Sequence, residues 1–171
     1  NTAIGENSLM YLTEGTNNTA LGHGAAMSLE EGAHNVIIGR YADVDATTSY
    51  GTVVGSYASA AGNYSVSIGT GSSVTSSSGI SVGQGSIVTG TAGISLGYLN
   101  TVSGSNSIVL GKNLTVTADD AIILGGTTTH KVGIGTLAPN TVAALDITST
   151  TKGFLPPRMT TVQRDAIATP P

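Results

Sequence analysis

Short runs of aliphatic residues that end in glycine recur along the first 135 residues. The intervals between these glycines are 17, 17, 16, 14, 14, 14, 14, 14 and 10 residues. Five equal consecutive intervals indicate an internal repeat of one supersecondary unit. The aliphatic–glycine pairs are Ile4-Gly5, Leu21-Gly22, Ile38-Gly39, Val54-Gly55, Ile68-Gly69, Val82-Gly83, Leu96-Gly97, Leu110-Gly111, Leu124-Gly125 and Ile134-Gly135.

Each repeat carries two short strand patterns, one on either side of its glycine. The positions three and one before the glycine are mostly Val, Ile or Leu, which form an i, i+2 pair on one face of a strand. The positions three and five after it are small or aliphatic and indicate a second strand. We expect the i, i+2 pair to face the core, so the sequence predicts burial of Ile94, Leu96 and Val102 and exposure of Thr70, Gln84 and Lys112.

The glycine of each repeat marks a corner between the two strands. Glycine is typical of a backbone position with positive φ, or of one where another part of the chain approaches too closely for a Cβ. The sequence therefore predicts that Gly69, Gly83, Gly97 and Gly111 occupy positions that are hostile to a side chain.

One such unit cannot bury its apolar residues alone, so neighbouring units must stack. The period-2 pattern and the frequent glycines exclude helix for this region. The predicted fold class is all-β: a trimeric parallel β-roll or β-solenoid of about nine coils of 14–17 residues, followed by an extended connector with a short helix. At a spacing of roughly 4.8 Å, nine coils give a rod of about 40 Å.

Composition narrows the functional classes. Only 9% of the residues are charged and 4% are aromatic, and the net charge is −4. An acidic chain without a basic stripe is not typical of nucleic-acid binding. The absence of cysteine excludes disulfides and thiolate metal sites. Apolar runs such as Ala121–Leu124 are too short to span a membrane, and a chain that starts inside a repeat is expected to be a fragment.

The repeats resemble a known family of fibrous surface proteins. Residues 63–74 (NYSVSIGTGSSV) and 79–88 (GISVGQGSIV) are similar to the head repeats of YadA-like trimeric autotransporter adhesins. The resemblance implies a left-handed parallel β-roll with three chains side by side. The units NTAIG at Asn1 and NTALG at Asn18 resemble longer variants found in phage tail fibres.

The region after Gly135 loses the period. Residues 132–139 (VGIGTLAP) and 144–168 (ALDITSTTKGFLPPRMTTVQRDAIA) resemble a connector of phage tail fibres and related bacterial surface proteins, which implies a distal tip domain beyond it. Leu145 and Ile147 indicate one short strand, and Thr160 with Gln163 matches a capping box that predicts a helix from about Thr161 to Ala168. The predicted domains are a β-roll shaft at 1–135 and a connector at 136–171.

Several motifs suggest chemistry but have a simpler explanation. Gly79–Gly83 and Gly93–Gly97 both match the G-x-S-x-G nucleophile elbow, yet Ser81 and Ser95 fall at the same point of a repeat. The histidines, at 23, 34 and 130, lie far apart and favour a surface role over metal binding. The acidic pairs at 43/45 and 119/120 lack a calcium-binding repeat and favour polar loops. We predict no catalytic residue, metal or cofactor.

A surface row follows the glycines. In a stacked coil, the residue after each glycine lies about 4.8 Å from its counterpart in the next coil. Arg40 and Tyr98 belong to this row, and Tyr41 and Tyr57 lie one position further on. These four residues form a candidate contact strip for a receptor or a glycan. The alternative is an ordinary solvated ladder.

The predicted function is structural. The chain is interpreted as part of a homotrimeric phage tail fibre in the virion, which contacts other fibre or baseplate proteins and projects a tip that binds a host-surface glycan or protein. The alternative is the head of a bacterial trimeric autotransporter adhesin at the cell surface. A fibre-borne glycan hydrolase ranks third because no acid pair recurs at a fixed position. Neither nucleic-acid binding nor membrane insertion is predicted.

Overall fold

The computed structural model describes residues 1–126 and 130–167. The chain divides into two compact units, Asn1–His130 and Lys131–Pro171. The first unit contains the repeats. The second begins just before the tenth aliphatic–glycine pair.

The first strands of the repeats form one parallel sheet of nine strands. Neighbouring strands pair in register, so that Ile94 lies opposite Ile80 on one side and Ile108 on the other. This sheet, called the first sheet, follows the order of the coils. Its strands are β1 (Thr2–Ile4), β2 (Thr19–Leu21), β3 (Val36–Ile38), β5 (Thr52–Val54), β7 (Val66–Ile68), β9 (Ile80–Val82), β11 (Ile94–Tyr98), β13 (Ile108–Lys112) and β15 (Ile122–Leu124).

The second strands form a parallel sheet of six, called the second sheet. It begins only in the third coil, because residues 23–28 of the second coil form turns where later coils have a strand. Alternation between the two sheets confirms the all-β parallel solenoid. Its strands are β4 (Asp43–Val44), β6 (Ser59–Ala60), β8 (Ser73–Val74), β10 (Ile87–Val88), β12 (Thr101–Val102) and β14 (Thr115–Val116).

The interior of the coil is lined by the second residue of the first-sheet strands from β2 to β13. Ile37, Val53 and Val109 are fully buried at this position, and Val102 is buried opposite them. The prediction that Ile94 and Leu96 are buried in the coil is wrong: Ile94 is half-buried and Leu96 is 37% exposed. The gap between the two sheets takes one inward residue per strand, and the alternation of a strand then turns its two neighbours outward. Thr70, Gln84 and Lys112 are exposed, as predicted.

The interior changes from apolar to polar near the middle of the stack. The second residues of β7, β9 and β11 are buried serines. Ser67 Oγ lies 2.8 Å from Ser72 Oγ, and Ser81 Oγ donates to the carbonyl oxygen of Ser86 at 3.1 Å. The Ser95 hydroxyl is buried without a hydrogen-bond partner among the described residues. Such a hydroxyl lowers stability, since its desolvation is not compensated.

The corner glycines are sterically constrained. Gly83 has φ +143° and Gly97 has φ +138°, and a Cβ at either position would overlap the carbonyl oxygen of the glycine in the next coil. Gly69 has φ +129° and would meet Gly83 in the same way at 2.7 Å. The prediction is therefore confirmed at these three positions. Gly111 differs, because it has no positive φ and its Cβ would meet Leu114 Cδ1 at 2.6 Å.

Each coil has two further corners in the left-handed region of φ. One lies two residues after the glycine, where Tyr41 and Tyr57 have φ of 53° and 58°. The other lies five residues before it, where Tyr50 and Tyr64 have φ of 60° and 58°. Backbone amides at both corners donate to the preceding coil, as from Tyr57 to Arg40 O at 3.0 Å. The corners are thus part of the hydrogen-bonded stack.

The second unit is less regular. The strand β16 (Val132–Ile134) pairs in parallel with β17 (Leu145–Ile147), so the tenth aliphatic–glycine pair does not extend the nine-stranded sheet. The helix α1 covers Thr161–Asp165 and starts with the predicted capping box. Thr160 Oγ1 accepts from Gln163 N at 3.2 Å, and Thr160 N donates to Gln163 Oε1 at 2.9 Å. The predicted end of the helix at Ala168 lies outside the described residues.

Candidate assembly face and aromatic ladders

The outer side of the first sheet is a continuous apolar strip, called the apolar face. It consists of the first and third residues of β1–β3, β5, β7, β9, β11, β13 and β15, none of which is fully buried in the single chain. With nine strands about 4.8 Å apart, the strip is about 40 Å long. Its members are aliphatic except for three threonines. They are Thr2, Ile4, Thr19, Leu21, Val36, Ile38, Thr52, Val54, Val66, Ile68, Ile80, Val82, Ile94, Leu96, Ile108, Leu110, Ile122 and Leu124.

The outer side of the second sheet is different in character. Its outward positions are Asp43, Ser59, Ser73, Ile87, Thr101 and Thr115. Asp43 accepts hydrogen bonds from the Ser28 amide and hydroxyl at 3.1 and 2.6 Å. This polar side suits water, whereas a long apolar strip marks a surface that packs against a partner.

Three of the four residues of the predicted contact strip lie together. The rings of Tyr41 and Tyr57 stack with centroids 5.5 Å apart. The guanidinium carbon of Arg40 lies 5.4 Å from the Tyr41 centroid and 4.8 Å from that of Tyr57. His23 continues this row, because its Nε2 lies 2.9 Å from the Tyr41 hydroxyl. We call His23, Tyr41 and Tyr57 the first ladder.

Tyr98, the fourth residue of the strip, lies elsewhere on the solenoid. It belongs to β11, and its strand partner in β13 is Lys112. The Lys112 ammonium lies 5.5 Å from the Tyr98 ring centroid, in the range of a cation–π contact. The structure therefore does not join Tyr98 to the first ladder.

A second aromatic ladder was not predicted from the sequence. His34 stacks on Tyr50 with centroids 4.9 Å and planes 6° apart, and Tyr50 stacks on Tyr64 at 4.9 Å and 7°. These residues, called the second ladder, each lie five positions before a corner glycine. That fixed offset is a signal that could have revealed them.

The two serines of the elbow motifs are not placed as nucleophiles. Ser81 and Ser95 are fully buried inside the coil. An elbow nucleophile must instead present its hydroxyl to substrate at the end of a strand. The serines are thus interior residues of the repeat.

Two of the three histidines and the acidic pair at 119/120 have local partners. His23 Nδ1 lies 3.5 Å from Glu6, and His34 is part of the second ladder. Asp119 and Asp120 accept hydrogen bonds from Ser105 N at 2.7 Å and Asn106 Nδ2 at 3.1 Å in the coil before. Within residues 1–126 and 130–167, no three His, Asp or Glu side chains lie close enough together to hold a metal ion.

The second unit exposes large apolar side chains. Phe154 and Leu155 are 70% and 69% exposed, and Val162 of α1 is 79% exposed. Leu137 and Val142 are almost fully exposed in the single chain. Apolar exposure on this scale in a short segment is typical of a surface that other chains cover.

Comparison with known proteins identifies this segment. Residues 133–171 match the family described as a phage tail like trimerisation region. The match supports a homotrimer. No curated protein matches the chain. The comparison does not extend to the YadA-like repeats, so that resemblance stays a prediction.

The solenoid and the trimerisation region together fit the shaft of a phage tail fibre, and they support a structural component of a trimeric fibre. Such an architecture suggests a non-enzymatic protein. No helix in the described parts of the chain is both long and apolar enough to cross a membrane.

Proposed function

We propose that the chain is a shaft segment of a trimeric phage tail fibre. The observation that carries the proposal is an apolar face along the whole solenoid in a chain that also matches a trimerisation region. Three parallel copies would turn these faces toward a common axis, where the aliphatic side chains of nine strands pack in layers. Burial of apolar area is the main favourable contribution to such an association.

The second sheets would then form the outside of the fibre, where their polar residues meet water. The stacked parallel strands resist bending, so the shaft holds a distal domain away from the particle. In this proposal the coils are left-handed, residues 1–135 form the shaft and residues 136–171 connect it to a tip. The tip binds a host-surface glycan or protein, and other fibre or baseplate proteins hold the opposite end.

A second candidate function is a bacterial adhesin head. It is favoured by the exposed first ladder, since Arg40 with Tyr41 and Tyr57 offers both charge and aromatic surface to a host molecule. In this alternative, Tyr98 with Lys112 would add a separate contact on the same protomer. The shaft proposal ranks first because the matched family is a phage tail like region.

Immunogold electron microscopy separates the two functions. Antibody raised against the purified chain is expected to label fibres on intact phage particles from the strain that carries the gene. The control is antibody absorbed with the same chain, which should give no label. Label on the bacterial surface in the absence of particles would contradict the shaft proposal and support the adhesin.

A further inference from the structure

The two aromatic ladders flank the apolar face at opposite ends of the same strands. Tyr50 lies two residues before β5 and Tyr57 lies three residues after it. The same relation holds for His34 and Tyr41 around β3. The ladders therefore occupy the two long edges of the face and share the coils of β3 and β5.

A threefold ring requires two different patches that complement each other, because one edge of each protomer meets the opposite edge of its neighbour. Rotation about the axis moves no residue along it, so Tyr57 of one protomer and Tyr50 of the next lie at the same height. We propose that the first ladder of one protomer packs against the second ladder of its neighbour and forms an aromatic seam between subunits. This inference rests on the trimer of the proposed function.

The geometry of the rings fits contact with a neighbouring protomer. In the second ladder the ring faces cover one another at 4.9 Å, and in the first ladder Tyr41 stacks on Tyr57 at 5.5 Å while His23 meets Tyr41 edge-on. The stacked tyrosines still keep a large exposed surface: Tyr50, Tyr57 and Tyr64 are 48%, 52% and 62% exposed. Edge-to-face contacts between aromatic rings use these edges. A sugar would need an open ring face, which a stacked ladder offers only at its ends.

The seam is confined to the coils at the start of the chain. In later coils the first-ladder position is Gly71, Gly85, Leu99 or Asn113, and the second-ladder position is Ser78, Ala92, Asn106 or Asp120. The apolar face in the first coils includes Thr2, Thr19 and Thr52, where later coils have valine or isoleucine. The ladders thus add contact area where the face itself is less apolar.

Disulfide trapping tests the seam, and the chain is suited to it because it contains no cysteine. The double variant Tyr50→Cys/Tyr57→Cys is oxidised in the full chain and run on a denaturing gel without reductant. Within one protomer, the extended stretch from residue 51 to 55 spans about 13 Å, beyond the roughly 7 Å that a disulfide bridges between Cα atoms. We expect a covalent trimer that reductant converts to monomer.

The matched control is Tyr41→Cys/Tyr57→Cys, with both cysteines on the first ladder. Adjacent coils place these Cα atoms about 5 Å apart in one chain, so an intrachain disulfide and a monomer band are expected. Light scattering of the unoxidised variants separates the outcomes. If the Tyr50→Cys/Tyr57→Cys variant is a trimer in solution but oxidation gives no covalent trimer, the seam is contradicted. The ladders would then be free to contact an external ligand. A light-scattering mass of one chain instead contradicts the proposed function and, with it, the seam.

Discussion

Replacing Ile94 by aspartate is expected to break the trimer into single chains. Ile94 lies on β11, the seventh of the nine strands that carry the apolar face, and its side chain points out of the coil. In the trimer three carboxylates would be buried near the axis without partners. An unpaired buried charge costs several kcal/mol, and three like charges repel one another. Light scattering should give a mass close to the 16.9 kDa of one chain.

The matched control for this change is Ile87→Asp. Ile87 is also an outward isoleucine, 38% exposed, but it lies on the second sheet. Its carboxylate would stay in water, so the mass should remain that of the trimer. Equal masses for the two variants would show that the apolar face is not the contact between subunits.

The double change Gly83→Ala/Gly97→Ala is expected to lower the thermal stability strongly. Each alanine would have a φ that side chains rarely adopt and would overlap a backbone carbonyl of the next coil. Overpacking of this kind costs about 1–3 kcal/mol per site, and the backbone of a stacked coil cannot move away without breaking its hydrogen bonds. We expect the melting temperature, followed by circular dichroism, to fall by about 5 °C or more.

Two controls separate the causes of that loss. Gly71→Ala keeps the positive φ of +65° but meets nothing within 4 Å, so it should cost only about 1 kcal/mol, the strain of an L-residue in the left-handed region. Ser81→Ala/Ser95→Ala removes one hydrogen bond and one unpartnered hydroxyl, whose effects oppose each other. If the glycine double variant has the same melting temperature as either control, close approach between coils does not explain the corner glycines.

The fold could be predicted because the aliphatic–glycine pairs recur at nearly fixed intervals in the sequence. Glycine spacing located every strand of the first sheet, and the capping box located α1. The structure of the first coils was harder to predict. Their residues follow the same pattern as those of later coils, but they form turns where later coils have a second-sheet strand. Their longer loops give the chain a different path that periodicity alone does not reveal.

The faces of the first-sheet strands were assigned the wrong way round, for a physical reason, whereas Val102 of the second sheet is buried as predicted. Ile94 and Leu96 break the rule that large aliphatic residues lie inside a fold, because the rule applies to a complete assembly, and in the proposed trimer both would be covered by the neighbouring chains. The small residue between them, Ser95, was the better guide to the interior, because a two-sheet coil is thin. The second ladder was missed because its members are separated by 14–16 residues and share only a corner position.

The mass of the unmodified chain in solution tests the central claim most directly. Sedimentation equilibrium needs no assumption about shape, which matters for a rod. The account predicts a single species of about three times the 16.9 kDa of one chain across a wide range of concentration. A folded species with the mass of one chain would contradict it, because the apolar face would then remain in water with no partner to cover it.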